Sequence, residues 1–183
     1  MPVFAIVFRG TDAPEDFKSN FHWFTRFFPG SKNQYDFVRI QAKNIVKKIR
    51  EYAGTHNVEV VVAGHSLGGG LAQQAAYAAD GLETVFAFAP SAVTGYYDVE
   101  NKNERKRRRE RLRIYRIHER GEVLAYFRRF MKAVYPVVQV NPKIVEIRFN
   151  FQDSSGSSVK LHRIGPLAKN MILAWDANKE VTE

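Results

Sequence analysis

No cysteine occurs anywhere in the 183 residues. Disulfide staples, thiol nucleophiles and cysteine-based zinc or iron–sulfur centres are therefore excluded, although the compartment stays open. Long apolar runs are missing as well, so nothing reads as a membrane-crossing helix. The opening MPVFAIVFRG lacks a basic leader, and Arg9 cuts its apolar run short. The expectation is a chain that stays in the cytoplasm or is exported by a route independent of a standard signal peptide. Internal repeats and flexible linkers are also absent, so residues 1–183 read as a single domain, long enough to bury a core. Aromatics, by contrast, are plentiful, with 14 Phe, 8 Tyr and 2 Trp, which argues for a globular chain rather than a disordered one.

Acidic residues are outnumbered 19 to 28 by Lys and Arg. The imbalance is local. Lys102, Arg105, Lys106, Arg107, Arg108, Arg109, Arg111, Arg113 and Arg116 stand against only Glu104 and Glu110, so +7 of the net +9 falls between residues 101 and 116. A nucleic-acid surface would spread basic charge more broadly and set base-stacking aromatics beside it, and the nearby Tyr115, Tyr126 and Phe127 are ordinary. No specific nucleic acid is expected as a partner.

Periodicity supplies the architecture. VFAIVF at 3–8 reads as a wholly buried strand, as though the chain opened in the middle of a sheet. Val38, Ala42, Ile45, Ile49 and Tyr52 mark the apolar stripe of a surface helix over 35–53 that ends at Gly54. Val58–Ala63 and Thr84–Ala89 are further strands, with an alanine-rich helix between them. A basic insertion around 101–111 precedes a strand at Leu112–Ile117, and Ile144–Phe151 is the last strand. A terminal helix after Gly165-Pro166 carries Leu167, Asn170, Met171, Ala174 and Trp175 on one stripe. Alternating strands and helices predict the α/β class with a largely parallel sheet flanked by helices.

The most informative stretch is VEVVVAGHSLGGGLAQ at 58–73. Gly64-His65-Ser66-Leu67-Gly68 between a buried strand and a helix is the pattern of a sharp elbow that lifts a serine hydroxyl off a sheet edge. The alternative, a phosphate-cradling turn, lacks a closing Lys-Ser/Thr. A nucleophilic serine needs a base, an acid that orients the base, and oxyanion donors. In this fold class the order along the chain is serine, acid, histidine. His162 alone among five histidines lies after the last strand and is the candidate base. Glu122, beside Gly121 at the end of the preceding strand, is favoured as the acid over Glu119. The Leu67 N–H and Thr11, in the turn after the first strand, are the candidate oxyanion donors. Trp23, Phe24 and Phe27 belong to an aromatic run that either fills core or forms an apolar flap over a greasy pocket; with His65 they are the candidate substrate-binding residues. No metal or other cofactor is called for.

The segments VFRGTD, DF at 16–17, VVVAGHSLGGGLAQ, FAFAPS and ERGEVLAYF resemble the class 3, fungal-lipase-like lipases and related bacterial phospholipases. That resemblance implies a compact α/β-hydrolase fold with Ser66 as nucleophile, Thr11 at the oxyanion, the acidic position in Gly121-Glu122-Val123 as triad acid, and His162 as catalytic histidine. Such proteins usually have Asp where this chain has Glu, and carry elements before the FRGT strand; a partner chain completing the N-terminal side is one expectation. The implied activity is hydrolysis of acyl esters of lipids through an acyl-enzyme, with an acyl lipid as substrate and peripheral contact of residues 101–116 with an anionic membrane. The competing readings are a catalytically silent scaffold and a binding module for nucleic acid or an anionic surface acting through the basic run.

Overall fold

The computed structural model describes residues 1–10, 34–92, 94–134, 144–152 and 157–182. Its elements in chain order are β1 (Val3–Phe8), α1 (Gln34–Ala53), β2 (Glu59–His65), α2 (Leu67–Ala78), β3 (Thr84–Phe88) and α3 (Lys102–Arg111). Then follow β4 (Arg113–Glu119), α4 (Val123–Val134), β5 (Ile144–Phe149), α5 (Ser158–Leu161) and α6 (Ile164–Thr182). The strands form one sheet in the order β1-β2-β3-β4-β5, every pairing parallel. Neighbouring parallel strands need a crossover between them. The basic segment expected as an insertion serves that purpose as α3, which joins β3 to β4 and is capped at its N-terminus by the Asn101 side chain.

The register aligns the strand ends that matter. Phe8 pairs with Gly64, His65 with Phe88, Phe88 with Ile117, and Glu119 with Phe149. The residues that follow β1, β2 and β4 therefore emerge along one C-terminal edge, where open α/β sheets place their chemistry.

The core lies on one face of this sheet. Val60, Val62, Val85, Ala87 and Ile114 are buried together with Tyr35, Val38, Ala42 and Val46 of α1 and Leu71, Ala72, Ala75 and Ala76 of α2. Each fully buried aliphatic side chain contributes about 1.5–3 kcal/mol. The alanines let α2 lie close on the strands. Side chains pointing the other way are less covered: Phe86 and Tyr115 stack at 5.3 Å but are only half-buried, and Val145 is exposed.

Two expectations change here. β1 is not wholly buried: its residues alternate between exposed and half-buried, and Val3 and Val7 are 62% and 71% exposed. It occupies the sheet edge, with β2 its one partner among the described strands, and an unbroken apolar run does not by itself distinguish edge from centre. The buried stripe of α1 runs through Tyr35, Val38, Ala42 and Val46, leaving Tyr52 85% exposed. Ile45 and Ile49 of the expected stripe are half-buried beside it, and Tyr35 packs inward, its hydroxyl 2.9 Å from Ser91 Oγ. In α6, Leu167 is buried whereas Trp175 is exposed.

Candidate active site

β2 ends at His65, and α2 starts at Leu67, leaving Ser66 alone at the bend. Its backbone has φ 57° and ψ −121°, a conformation that non-glycine residues rarely adopt and that costs on the order of 1–3 kcal/mol. The surroundings hold it there. Ser66 N–H donates to Phe88 O at 2.9 Å, while its carbonyl accepts from Gly69, Gly70 and Ser91 N–H at 3.1, 3.3 and 3.0 Å. A side chain at Gly64 would run into the Gly68 backbone, and one at Gly68 into the carbonyl of Phe8. The two glycines thus let strand, elbow and helix close on one another. The loop leaving β1 reaches the same place, since a Cβ on Gly10 would lie 2.6 Å from His65 O and 3.5 Å from Ser66 Cβ.

His162 caps α5 and meets the elbow from the other side of the chain. Its Nε2 lies 3.0 Å from Ser66 Oγ, and its Nδ1 lies 2.8 Å from Glu122 Oε2. With Nδ1–H donating to the carboxylate, Nε2 is left as the acceptor for the serine hydroxyl. Ser66, His162 and Glu122 are all buried, Glu122 completely. The same Oε2 accepts Leu124 N–H at 2.8 Å, so Glu122 also caps the N-terminus of α4, a favourable place for a negative charge. Burial pushes the Glu122 carboxyl up. The His162 hydrogen bond, the Arg128 charge, the His162 charge and the Leu124 N–H outweigh burial and hold it below the ordinary carboxylate range.

The two candidate acids separate cleanly. Glu119 is equally buried, but it is the last residue of β4 and its Oε1 accepts Gln152 N–H at 3.1 Å. Gly121, with φ 82°, turns the chain after β4, and it is Glu122 that the turn delivers to His162.

His65 is placed behind the base. Its ring lies 4.8 Å from the His162 ring, and its Nε2 is 2.7 Å from the His162 carbonyl, which makes it a donor to that oxygen. Burial, then the neighbouring His162, lowers its pKa to about 4. Leu67 opens α2, so its N–H has no acceptor within the helix and is available beside Ser66. Thr11, Trp23, Phe24 and Phe27 lie outside the described residues.

Arg128 is a site residue that sequence reasoning missed. It is a buried arginine of α4 whose Nη1 donates to Pro90 O at 2.7 Å and whose Nη2 lies 2.7 Å from Glu122 Oε1, off the axis of a hydrogen bond. No spacing signal marks it, because six residues along a helix from the acid is not a neighbouring position. Below the site, Arg116 is also buried, with Nε and Nη2 on Gln73 Oε1 at 3.0 and 2.7 Å.

The Tle-like phospholipase domain, a phospholipase-like family, matches residues 2–141. The chain belongs to the Tle-like phospholipase family. The Tle-like match contains Ser66 and Glu122 and stops short of His162, which the fold brings back to them. No curated protein matches the chain significantly. Among solved structures, Zea mays acyl-protein thioesterase 2 is similar at a TM-score of 0.52 and 15% identity, over 83% of this chain and 68% of that one. A thermostable esterase from Pseudomonas putida ECU1011 gives 0.49 and 13% over 93% and 71%, and an esterase from Rhizomucor miehei gives 0.49 and 12% over 95% and 73%. At such identities the thioesterase likeness shows the fold, that of the α/β-hydrolases.

Much of the basic run in this Tle-like chain is engaged internally. Arg108 is buried, donating to Tyr77 O at 2.6 Å and paired with Glu104; Arg107 contacts Asp80 at 3.2 Å. Arg105 donates to Val99 O at 2.8 Å and lies over the Tyr96 and Tyr97 rings. The exposed Arg111 and Arg113 sit where β4 begins, at the sheet edge opposite Ser66. A cavity of about 700 Å³ whose lining mixes Lys43, Lys47 and Arg50 with Glu51 and Asp80 is likewise away from Ser66. Among the described residues no helix is long and apolar enough to cross a membrane, and no cluster of side chains suits a metal ion.

The histidines set a pH dependence of stability. Burial, then in His118 the charge of Arg128, brings both His65 and His118 down to about 4 from the usual 6.5. Between those values the unfolded chain binds protons that the folded one refuses, so stability is full above about pH 6.5 and declines as pH falls toward 4. The depressed Glu122 adds a loss at still lower pH, in the same direction. Urea midpoints from pH 8 to pH 4 are expected to fall through this window, and His118→Gln to flatten the slope if the variant folds.

Proposed function

We propose that the protein is a serine hydrolase of acyl lipid esters, a phospholipase of the A type, with Ser66 as nucleophile, His162 as general base and Glu122 as the acid that orients it. The observation that carries this reading is the unbroken line of hydrogen bonds from Ser66 Oγ through His162 to Glu122. Ser66 Oγ attacks the ester carbonyl carbon as its proton passes to His162 Nε2. The carbonyl oxygen becomes an oxyanion facing the Leu67 N–H, with Thr11 as the second donor expected from the sequence. Collapse expels the alcohol, which takes the proton from His162, and leaves the acyl group on Ser66. Water, deprotonated by His162, then releases the fatty acid. Glu122 stays ionised throughout and stabilises the imidazolium.

A preference for phospholipid over triacylglycerol is supported by the description of the family. A catalytically silent scaffold has no use for a strained serine held against an imidazole. The test is release of fatty acid from diacyl phospholipid, from triacylglycerol and from a soluble p-nitrophenyl ester. Cleavage of the phospholipid and the soluble ester is expected; triacylglycerol cleaved in preference to phospholipid would remove the phospholipase assignment, and cleavage of none would remove the enzyme.

A further inference from the structure

We propose that Arg128 is a positioning residue that clamps the acid of the site to the nucleophile elbow and holds Glu122 at a fixed distance from Ser66. The inference rests on the proposed hydrolase mechanism and extends it to a residue outside the triad.

The geometry is that of a two-ended brace. One end of the guanidinium meets Glu122: Nη2 stands 2.7 Å from Oε1, the carboxylate oxygen that His162 does not use. The other end, Nη1, donates to the Pro90 carbonyl at 2.7 Å. The next residue, Ser91, donates its N–H to the Ser66 carbonyl at 3.0 Å, and the Gly69 position packs against Pro90. One side chain thus joins the acid, delivered by the β4 turn, to the loop after β3 that holds the elbow. A guanidinium suits this task because its fork is planar, permanently charged and able to address two acceptors at once.

The brace also explains how a glutamate serves. His162 uses one oxygen of the carboxylate and leaves the second deep in the protein, and a carboxylate with one oxygen unpaired in a buried site would be driven to take up a proton. Among the described residues, the charged and titratable groups facing Glu122 are His162, Arg128, His65 and His118. The last two are neutral above about pH 4 and give no permanent positive charge. Arg128 does.

The test compares Arg128→Met and Arg128→Lys with wild type by the pH profile of kcat/KM on a soluble ester, circular dichroism reporting folding and a fluorophosphonate reporting wild-type Ser66. Arg128→Met is expected to lose about 100-fold in kcat/KM, the size of a misplacement of the catalytic unit. Its acidic limb should move to higher pH by roughly one unit, as expected when a buried cation is removed from beside the His162–Glu122 pair. Arg128→Lys should keep the limb of the wild type and lose about tenfold, mostly in kcat, because the charge survives but the fork does not. A folded Arg128→Met with the wild-type acidic limb overturns the proposal, as does equal loss in both variants with no limb moved, the sign of a merely structural arginine. If Arg128→Met fails to fold, wild-type kcat in Arg128→Lys overturns it. Wild-type protein that neither hydrolyses ester nor labels overturns the hydrolase reading instead.

Discussion

Ser66→Ala is expected to reduce hydrolysis of a soluble acyl ester by about 10⁴-fold or more, the range seen when the nucleophile of a serine triad is removed, with little loss of stability. The two halves of this expectation have separate causes. The hydroxyl lies 3.0 Å from an imidazole nitrogen whose ring is itself tied to a carboxylate, a placement that alanine cannot reproduce. The fold around it is held by backbone contacts, from Ser66 N–H to Phe88 O and from three N–H groups to Ser66 O, which alanine keeps. Measuring kcat/KM beside the thermal midpoint checks both. An activity loss accompanied by an equally large loss of stability would mean that the substitution damaged the elbow rather than the chemistry.

Glu122→Ala is expected to fail on both counts. Losing the group that orients His162 lowers kcat by about 10⁴-fold. It also leaves the buried Arg128 without its anion and α4 without its cap. Removing one partner of a buried ion pair costs about 3–5 kcal/mol, and the missing cap about 1 more. For a domain of this size the thermal midpoint should drop by about 10 °C or more. Glu122→Gln separates the terms: it keeps the volume and an acceptor for Leu124 N–H but not the charge, so activity should stay low while part of the stability returns. Wild-type stability in Glu122→Ala would show that the Arg128 contact carries no weight in the fold.

Local signals account for much of the architecture. β-branched runs flanked by turn residues marked β2 and β3, and the alanines of α2 announced close packing against the sheet. The elbow was legible because its chemistry is contiguous: strand, Gly64, Ser66, Gly68, helix. His162 was legible by chain order. What sequence did not carry was relative position in space. β1 has the same unbroken apolar composition as a central strand yet lies at the edge, and the inward-packed Tyr35 of α1 meets Ser91, 56 residues away. Glu119 and Glu122 are separated in sequence only by Arg120 and Gly121; the left-handed turn at Gly121 decides which one reaches the histidine. Arg128 was invisible because Pro90 comes from a distant segment and Glu122, six residues back at the start of the same helix, is not at a neighbouring helical spacing. The basic run looked like a surface feature from its charge density, whereas Arg108 and Arg116 turned out to be interior, each held by an acceptor on α2. A charged residue in a dense basic run is usually solvated, and only the fold shows which ones are not.

The central claim is that Ser66 is an activated nucleophile, and covalent capture tests it most directly. Folded protein is treated with a fluorophosphonate at neutral pH, and the adduct is located by mass spectrometry of peptides. A single adduct on Ser66 is predicted, absent in Ser66→Ala and strongly slowed in His162→Ala. Folded wild-type protein that takes up no label, or labels on another serine, contradicts the account.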